Sequence, residues 1–263
     1  MKTRAFYSFA VFFVVASLLL SACTMASAPE ATPTNTPIPP TDTPKPTETA
    51  TATFTVTPTP TNTPKPTATL NATATQRVKE FTAKVQEYHD AGYITTTDGS
   101  YIYLANQTFS WAELGYYNWE KYAFSPTDFI IKSDIVWKSA SAAANTSGCG
   151  FVFRIQDNND HYMFYISLKG YVEAATNVGK RWKSLGKGTF GNPAQNGNAS
   201  VTLIVEDSTF RVLVDDKLIK TYTGFAGKLA SGDLAYTVLS GTNKSYGTEC
   251  KFNNTELWTI KKK

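Results

Sequence analysis

From Tyr93 onward the apolar residues of this chain recur at alternate positions, and that period decides most of what it can fold into. In "DFIIKSDIVW", Phe129, Ile131, Ile135 and Trp137 alternate with Lys132, Asp134 and Lys138. Successive side chains on a strand point to opposite faces, so alternation buries one face and wets the other. In "CGFVFRIQ", Cys149, Phe151, Phe153 and Ile155 share one face. The runs "HYMFYISL", "SVTLIVED", "FRVLVD" and "DLAYTVL" continue the pattern, divided by turn-formers such as "DNND", "VDDK" and "SGTNKSYG". About ten short strands separated this way predict an all-β domain over residues 93–263, an antiparallel β-sandwich or jelly roll. Residues 76–263 number 188, enough for one sandwich and too few for two comfortable domains.

A different period precedes the strands. In "TQRVKEFTAKVQEYHDAG", Val78, Phe81, Val85 and Tyr88 recur at steps of three and four. With Thr75 as cap and Gly92 as stop, this predicts an amphipathic helix over 76–92, its apolar stripe packed on the domain.

The first 75 residues offer no such core. Eleven of the 13 prolines lie between Pro29 and Pro66, and 18 threonines fall between Thr32 and Thr75. A degenerate Thr-Pro repeat has little to bury and lacks backbone donors at proline, so residues 23–75 are expected to form a disordered, extended linker. Polyproline-like geometry would give it a reach of at most about 160 Å. Ahead of it, Lys2 and Arg4 precede the apolar run Phe6–Leu20, the pattern of a secretory signal over 1–22. Leu20-Ser21-Ala22-Cys23 resembles the lipobox of bacterial lipoproteins. The resemblance implies cleavage before Cys23 and a diacylglyceryl group on its sulfur. The protein is then expected outside the cytoplasm, anchored to a bacterial membrane by lipid and exposed at the cell surface. An ordinary signal cleaved after Ala22 or Ala26 is the alternative.

The stretches "DFIIKSDIVWKSASAAANTSGCGFVFRIQDNNDHYMFYISLKGYV", "LIVEDSTFRVLVDDKLIKTYTG" and "CKFNNTELW" resemble a concanavalin A-like lectin/glucanase domain. More narrowly, they are similar to the laminin-G-like and DUF1080-type jelly rolls. The matching elements specify the sandwich far more than an activity. Cys149 and Cys250 both fall on inward faces of that fold, in a compartment that permits disulfides, and a Cys149–Cys250 bridge is expected.

Glycosidases of this superfold carry Glu-x-Asp-x-x-Glu on one strand, and the pattern is absent here. His161 follows a turn with no serine or cysteine motif nearby, and is expected on a strand surface. No glycine-rich phosphate loop occurs, so no enzyme is expected. Trp111, Tyr116, Tyr117, Trp119, Tyr122 and Phe124 crowd into 14 residues, more rings than alternation buries; the first five are candidate ligand-binding residues, with core packing as the competing reading. Asp157, Asn159 and Asp160 in "QDNNDH" are candidate calcium ligands, although hairpin turns favour Asp and Asn for backbone reasons alone. No other cofactor is implied. Residues 76–263 hold 21 Lys and Arg against 18 Asp and Glu, too dilute an excess for nucleic acid. The expectation is a monomeric surface module that binds a glycan or another ligand, or alternatively an adhesive protein that binds another surface protein; a diverged glycoside hydrolase is a third reading.

Overall fold

The computed structural model describes residues 72–141, 146–191, 194–224 and 229–262. The signal segment, Cys23 and nearly all of the Thr/Pro tract lie outside the described residues. One helix, α1 (Ala72–Asp90), leads into the domain. It starts four residues before the expected 76, because the alanines and threonines ahead of Gln76 extend the turn. It ends where Gly92 takes a left-handed φ of 69°. The Tyr93 amide then reaches the Tyr88 carbonyl at 2.8 Å and the Gly92 amide reaches that of His89 at 2.9 Å. This paired closure is a Schellman cap, and the stacked Tyr88 and Tyr93 rings complete it.

Thirteen strands follow among the described residues: β1 (Gly99–Leu104), β2 (Gln107–Trp111), β3 (Tyr116–Lys121), β4 (Phe129–Ser139), β5 (Gly148–Ile155), β6 (His161–Ser167), β7 (Tyr171–Val178), β8 (Arg181–Thr189), β9 (Asn196–Glu206), β10 (Thr209–Val214), β11 (Lys217–Thr223), β12 (Asp233–Ser240) and β13 (Thr248–Ile260). They form two antiparallel sheets, as the alternation predicts. One has the order β1-β13-β4-β9-β10-β11, with β2 also on β13; the other runs β3-β12-β5-β6-β7-β8. Phe129, Ile131 and Ile135 of the first sheet face Phe151, Phe153 and Phe164 of the second in the central core. Cys149 on β5 and Cys250 on β13 form a disulfide across that core, tying the sheets together.

Where the alternation fails, the outer face is covered too. Ile130, Ile204 and Trp258 stand in one row across β4, β9 and β13 and point away from the central core. Phe81, Val85 and Tyr88 of α1 pack on that row. Val78, expected in the same stripe, remains 39% exposed. Lys84 pairs with Asp216 at 3.4 Å and the Arg77 guanidinium lies 4.2 Å from the centre of the Tyr103 ring, fixing the helix along the sheet.

Candidate functional site

The outer face of the six-stranded sheet carries Tyr117 and Trp119 on β3, His161, Met163 and Tyr165 on β6, and Trp182 on β8. β3 and β8 are the two edges of that sheet, five strand spacings apart. A flat sheet would separate them by roughly 24 Å. The Tyr117 and Trp182 ring centroids are nonetheless 5.4 Å apart. Their positions are also at opposite ends of their strands, since register runs from Tyr117 through Leu239, Gly148, Ser167 and Tyr171 to Thr189. Strand twist has therefore raised two diagonal corners, and this face is concave.

Its floor is set by a glycine. A Cβ on Gly148 would lie 2.5 Å from Cδ2 of Tyr165, so only the bare backbone leaves room for that ring against the sheet. Tyr165 donates its hydroxyl to Glu173 at 3.0 Å. Burial first, and the Glu173 charge second, push the Tyr165 hydroxyl above its ordinary range, so it stays protonated. Tyr116, Tyr117, Thr146, Tyr165, Trp182 and Leu239 enclose a pocket of about 360 Å³. Tyr116 and Trp182 are 61% and 50% exposed at its rim.

His161 lies beneath the β3 rings, next to the pocket-lining Tyr117. It is wholly buried, against the expectation of a surface strand residue. The rings of Trp119 and Tyr117, 4.8 and 5.9 Å away, cover it from β3. Its Nδ1 donates to the Asn159 carbonyl at 2.6 Å, which fixes the tautomer. Nε2 is then free to accept, and the Tyr117 hydroxyl lies 2.9 Å from it. Burial holds the imidazole below its ordinary pKa of 6.5, outweighing the Asn159 bond and the Asp160 charge. The ring is neutral at pH 7.

The aromatic cluster at 111–124 thus divides. Tyr116, Tyr117 and Trp119 reach the concave face. Trp111 lies on β2 in the other sheet and packs on the central core, and Tyr122 is buried in that core against Tyr236. Trp182 and Tyr165, not among the expected ligand-binding residues, join the site from β8 and β6. A bulky ring inside the otherwise charged, exposed "KRWKSLGKG" was the available signal. In the turn before β6, both Asp160 carboxylate oxygens accept hydrogen bonds, from the Gly179 amide at 2.7 Å and the Asn158 amide group at 3.2 Å. Asn159 occupies a left-handed φ of 63° and supplies the carbonyl to His161, and Asp157 is exposed beside it. Among the described residues no three His, Cys, Asp or Glu side chains stand together as a metal site.

A larger depression of about 600 Å³ lies on the seven-stranded sheet, away from the helix. The Lys138–Glu249 ion pair at 3.0 Å occupies it, and Lys138 already covers its exposed ring, Tyr246, at 4.8 Å. It offers charge where the concave face offers open rings.

No protein-family model matches the chain, and no curated protein matches it. Among solved structures it is similar to a carbohydrate binding module from Bacillus subtilis, at 13% identity and a TM-score of 0.45 over 59% of this chain and 94% of that one. It is similar to a fructosyltransferase from A. japonicus at 12% identity and a TM-score of 0.44, covering 62% of this chain and only 26% of that one. A Bacillus licheniformis beta-glucanase is similar at 11% identity and a TM-score of 0.42, over 53% of this chain and 69% of that one. The fold, a sandwich of two antiparallel sheets, is read from the strand pairing itself.

Proposed function

We propose that the domain is a non-catalytic glycan-binding module, held at the cell surface by a lipid on Cys23. The concave pocket ringed by Tyr116, Tyr117, Tyr165 and Trp182 carries this reading. Aromatic faces bury the apolar side of a sugar ring while hydroxyls and indole N–H groups bond its polar edge. None of the described residues that line the pocket is a carboxylate, whereas glycoside cleavage uses two, about 5–5.5 Å apart in retaining enzymes. Helix α1 packs on the outer face of the seven-stranded sheet, and the pocket lies on the outer face of the other sheet.

One such pocket is expected to bind weakly, with a Kd of about 10⁻⁴ M, near −5.5 kcal/mol; many anchored copies acting together compensate. A glycan array followed by calorimetry tests this. Trp182→Ala and Tyr116→Ala remove exposed rings, so each is expected to weaken binding about tenfold with no change in unfolding. Failure to bind any glycan, with capture of one defined surface protein instead, would favour an adhesive role. Product released from a polysaccharide would make the domain an enzyme. Cys23→Ala is expected to release the protein from membranes or leave it unprocessed, and a mature N-terminus without lipid mass would refute the anchor.

A further inference from the structure

We propose that the pocket selects polysaccharides bearing anionic groups, carboxylate or sulfate, through a cationic rim on the β7–β8 hairpin. This rests on the glycan-binding reading and adds a ligand class to it. Five of the 21 Lys and Arg in residues 76–263 lie between 168 and 190: Lys169, Lys180, Arg181, Lys183 and Lys187. Glu173 is the single acidic residue among them. The rest of the segment holds 16 basic and 17 acidic residues, so the β7–β8 hairpin with the turn before it carries the domain's whole positive excess.

These charges are also unspent. Lys121, Lys132, Lys138 and Lys262 are each in an ion pair, but none of the ion pairs between described residues uses these five. Arg181 and Lys183 flank Trp182 in the chain, alternate with it to the other face of β8, and are exposed along this sheet edge, where their long side chains reach solvent. Lys187 stands opposite Glu173 in register, beside the Tyr165 floor, with its ammonium 4.5 Å from the centre of the Tyr171 ring. A Lys- and Gly-rich edge strand blunts edge-to-edge pairing, and that alone would account for charge on β8. It does not account for an exposed tryptophan in the middle of the same strand, leaning over a pocket.

A sugar lying on the exposed ring of Trp182 places its neighbours along the polymer over this edge. Exposed charges act over a Debye length of roughly 10 Å at 0.1 M salt, so anionic substituents on those neighbours fall within range.

The test uses the full chain in detergent micelles and affinity electrophoresis with matched polymers: polygalacturonate and its methyl ester, and dextran sulfate and dextran. At 50 mM NaCl the anionic member of a pair should be retained about tenfold more strongly, the preference fading toward 1 M NaCl. The triple variant R181Q/K183Q/K187Q should lose that preference with its melting temperature unchanged, and W182A should lose retention of both members. Equal retention of charged and neutral members, unmoved by the triple variant, overturns the proposal and leaves the glycan-binding reading standing. Retention of single-stranded oligothymidylate equal to that of dextran sulfate, and insensitive to W182A, reduces the effect to general polyanion attraction and also overturns it. Retention of no polymer at all removes both readings together.

Discussion

Lowering the pH should loosen this domain through His161, and the size of the effect has a ceiling. The imidazole is completely buried between the Asn159 carbonyl and the Tyr117 hydroxyl, with Trp119 against its face. A proton on Nε2 would place a charge among aromatic rings and turn an acceptor into a donor aimed at Tyr117. The folded pKa is therefore below the ordinary 6.5, and the unfolded chain takes up the proton first. Well above pH 6.5 neither state is protonated and the histidine contributes no pH dependence. Below it the unfolded state gains about 1.36 kcal/mol per pH unit until the folded pKa is reached. At pH 5.5 the loss of stability is thus at most about 1.4 kcal/mol. Urea unfolding at pH 7.5, 6.5 and 5.5 measures it, and the difference between parent and His161→Gln isolates it from the carboxylates, which titrate in both. Proton NMR gives a second reading, with His89→Gln leaving one imidazole to follow. A His161 resonance that titrates at or above 6.5, or identical pH profiles for parent and His161→Gln, would refute the reasoning.

Three further outcomes follow from other contacts. Replacing Cys149 and Cys250 by alanine removes a cross-link spanning a sequence separation of 101 residues, and unfolding should become easier by up to about 4.7 kcal/mol in non-reducing urea titrations. A loss below about 1 kcal/mol would mean the unfolded chain does not feel the constraint. Gly148→Ala puts a methyl group 2.5 Å from Cδ2 of Tyr165 and 2.6 Å from the Ile166 carbonyl, and backbone cannot yield as a side chain does. A cost of about 1–3 kcal/mol and weaker ligand binding are expected; an unchanged melting temperature would show that the ring is not seated on the glycine. Phe81→Ala empties a site that is 2% exposed, and about 3–5 kcal/mol of helix docking should go with it. Hydrogen exchange should then report fast amides throughout α1 with β4 and β13 still protected, and unchanged helix protection would refute that role.

What could be read from the chain, and what could not, separates along the reach of each interaction. Strand alternation is local, so "DFIIKSDIVW" and "CGFVFRIQ" disclose β4 and β5 and their inward faces as far as Phe153 without any partner being known. Ile155, expected on that inward face, joins Val152 on the outer one, because Arg154 takes a left-handed φ of 54° and breaks the alternation. The helix stop at Gly92 is equally local. The places where alternation breaks also carry meaning. Phe129-Ile130-Ile131 and Leu203-Ile204-Val205 are runs with no polar member, and they fall side by side where α1 covers the second face of the sheet. Along β6 the same reasoning applies to the seven buried residues His161–Ser167, whose outer face lies beneath rings from β3. His161 looks exposed only while the chain around it is considered alone, since a residue after a turn has no local reason to be covered. Trp119 and Tyr117 cover it from 42 and 44 positions earlier. The binding face is less legible still, because curvature belongs to the whole sheet. Tyr117 and Trp182 meet only after twist has accumulated across six strands, and no window of sequence contains that sum. Crowded aromatics therefore mark a strand that cannot bury all its rings, but which of them meet across the sheet is decided by its shape.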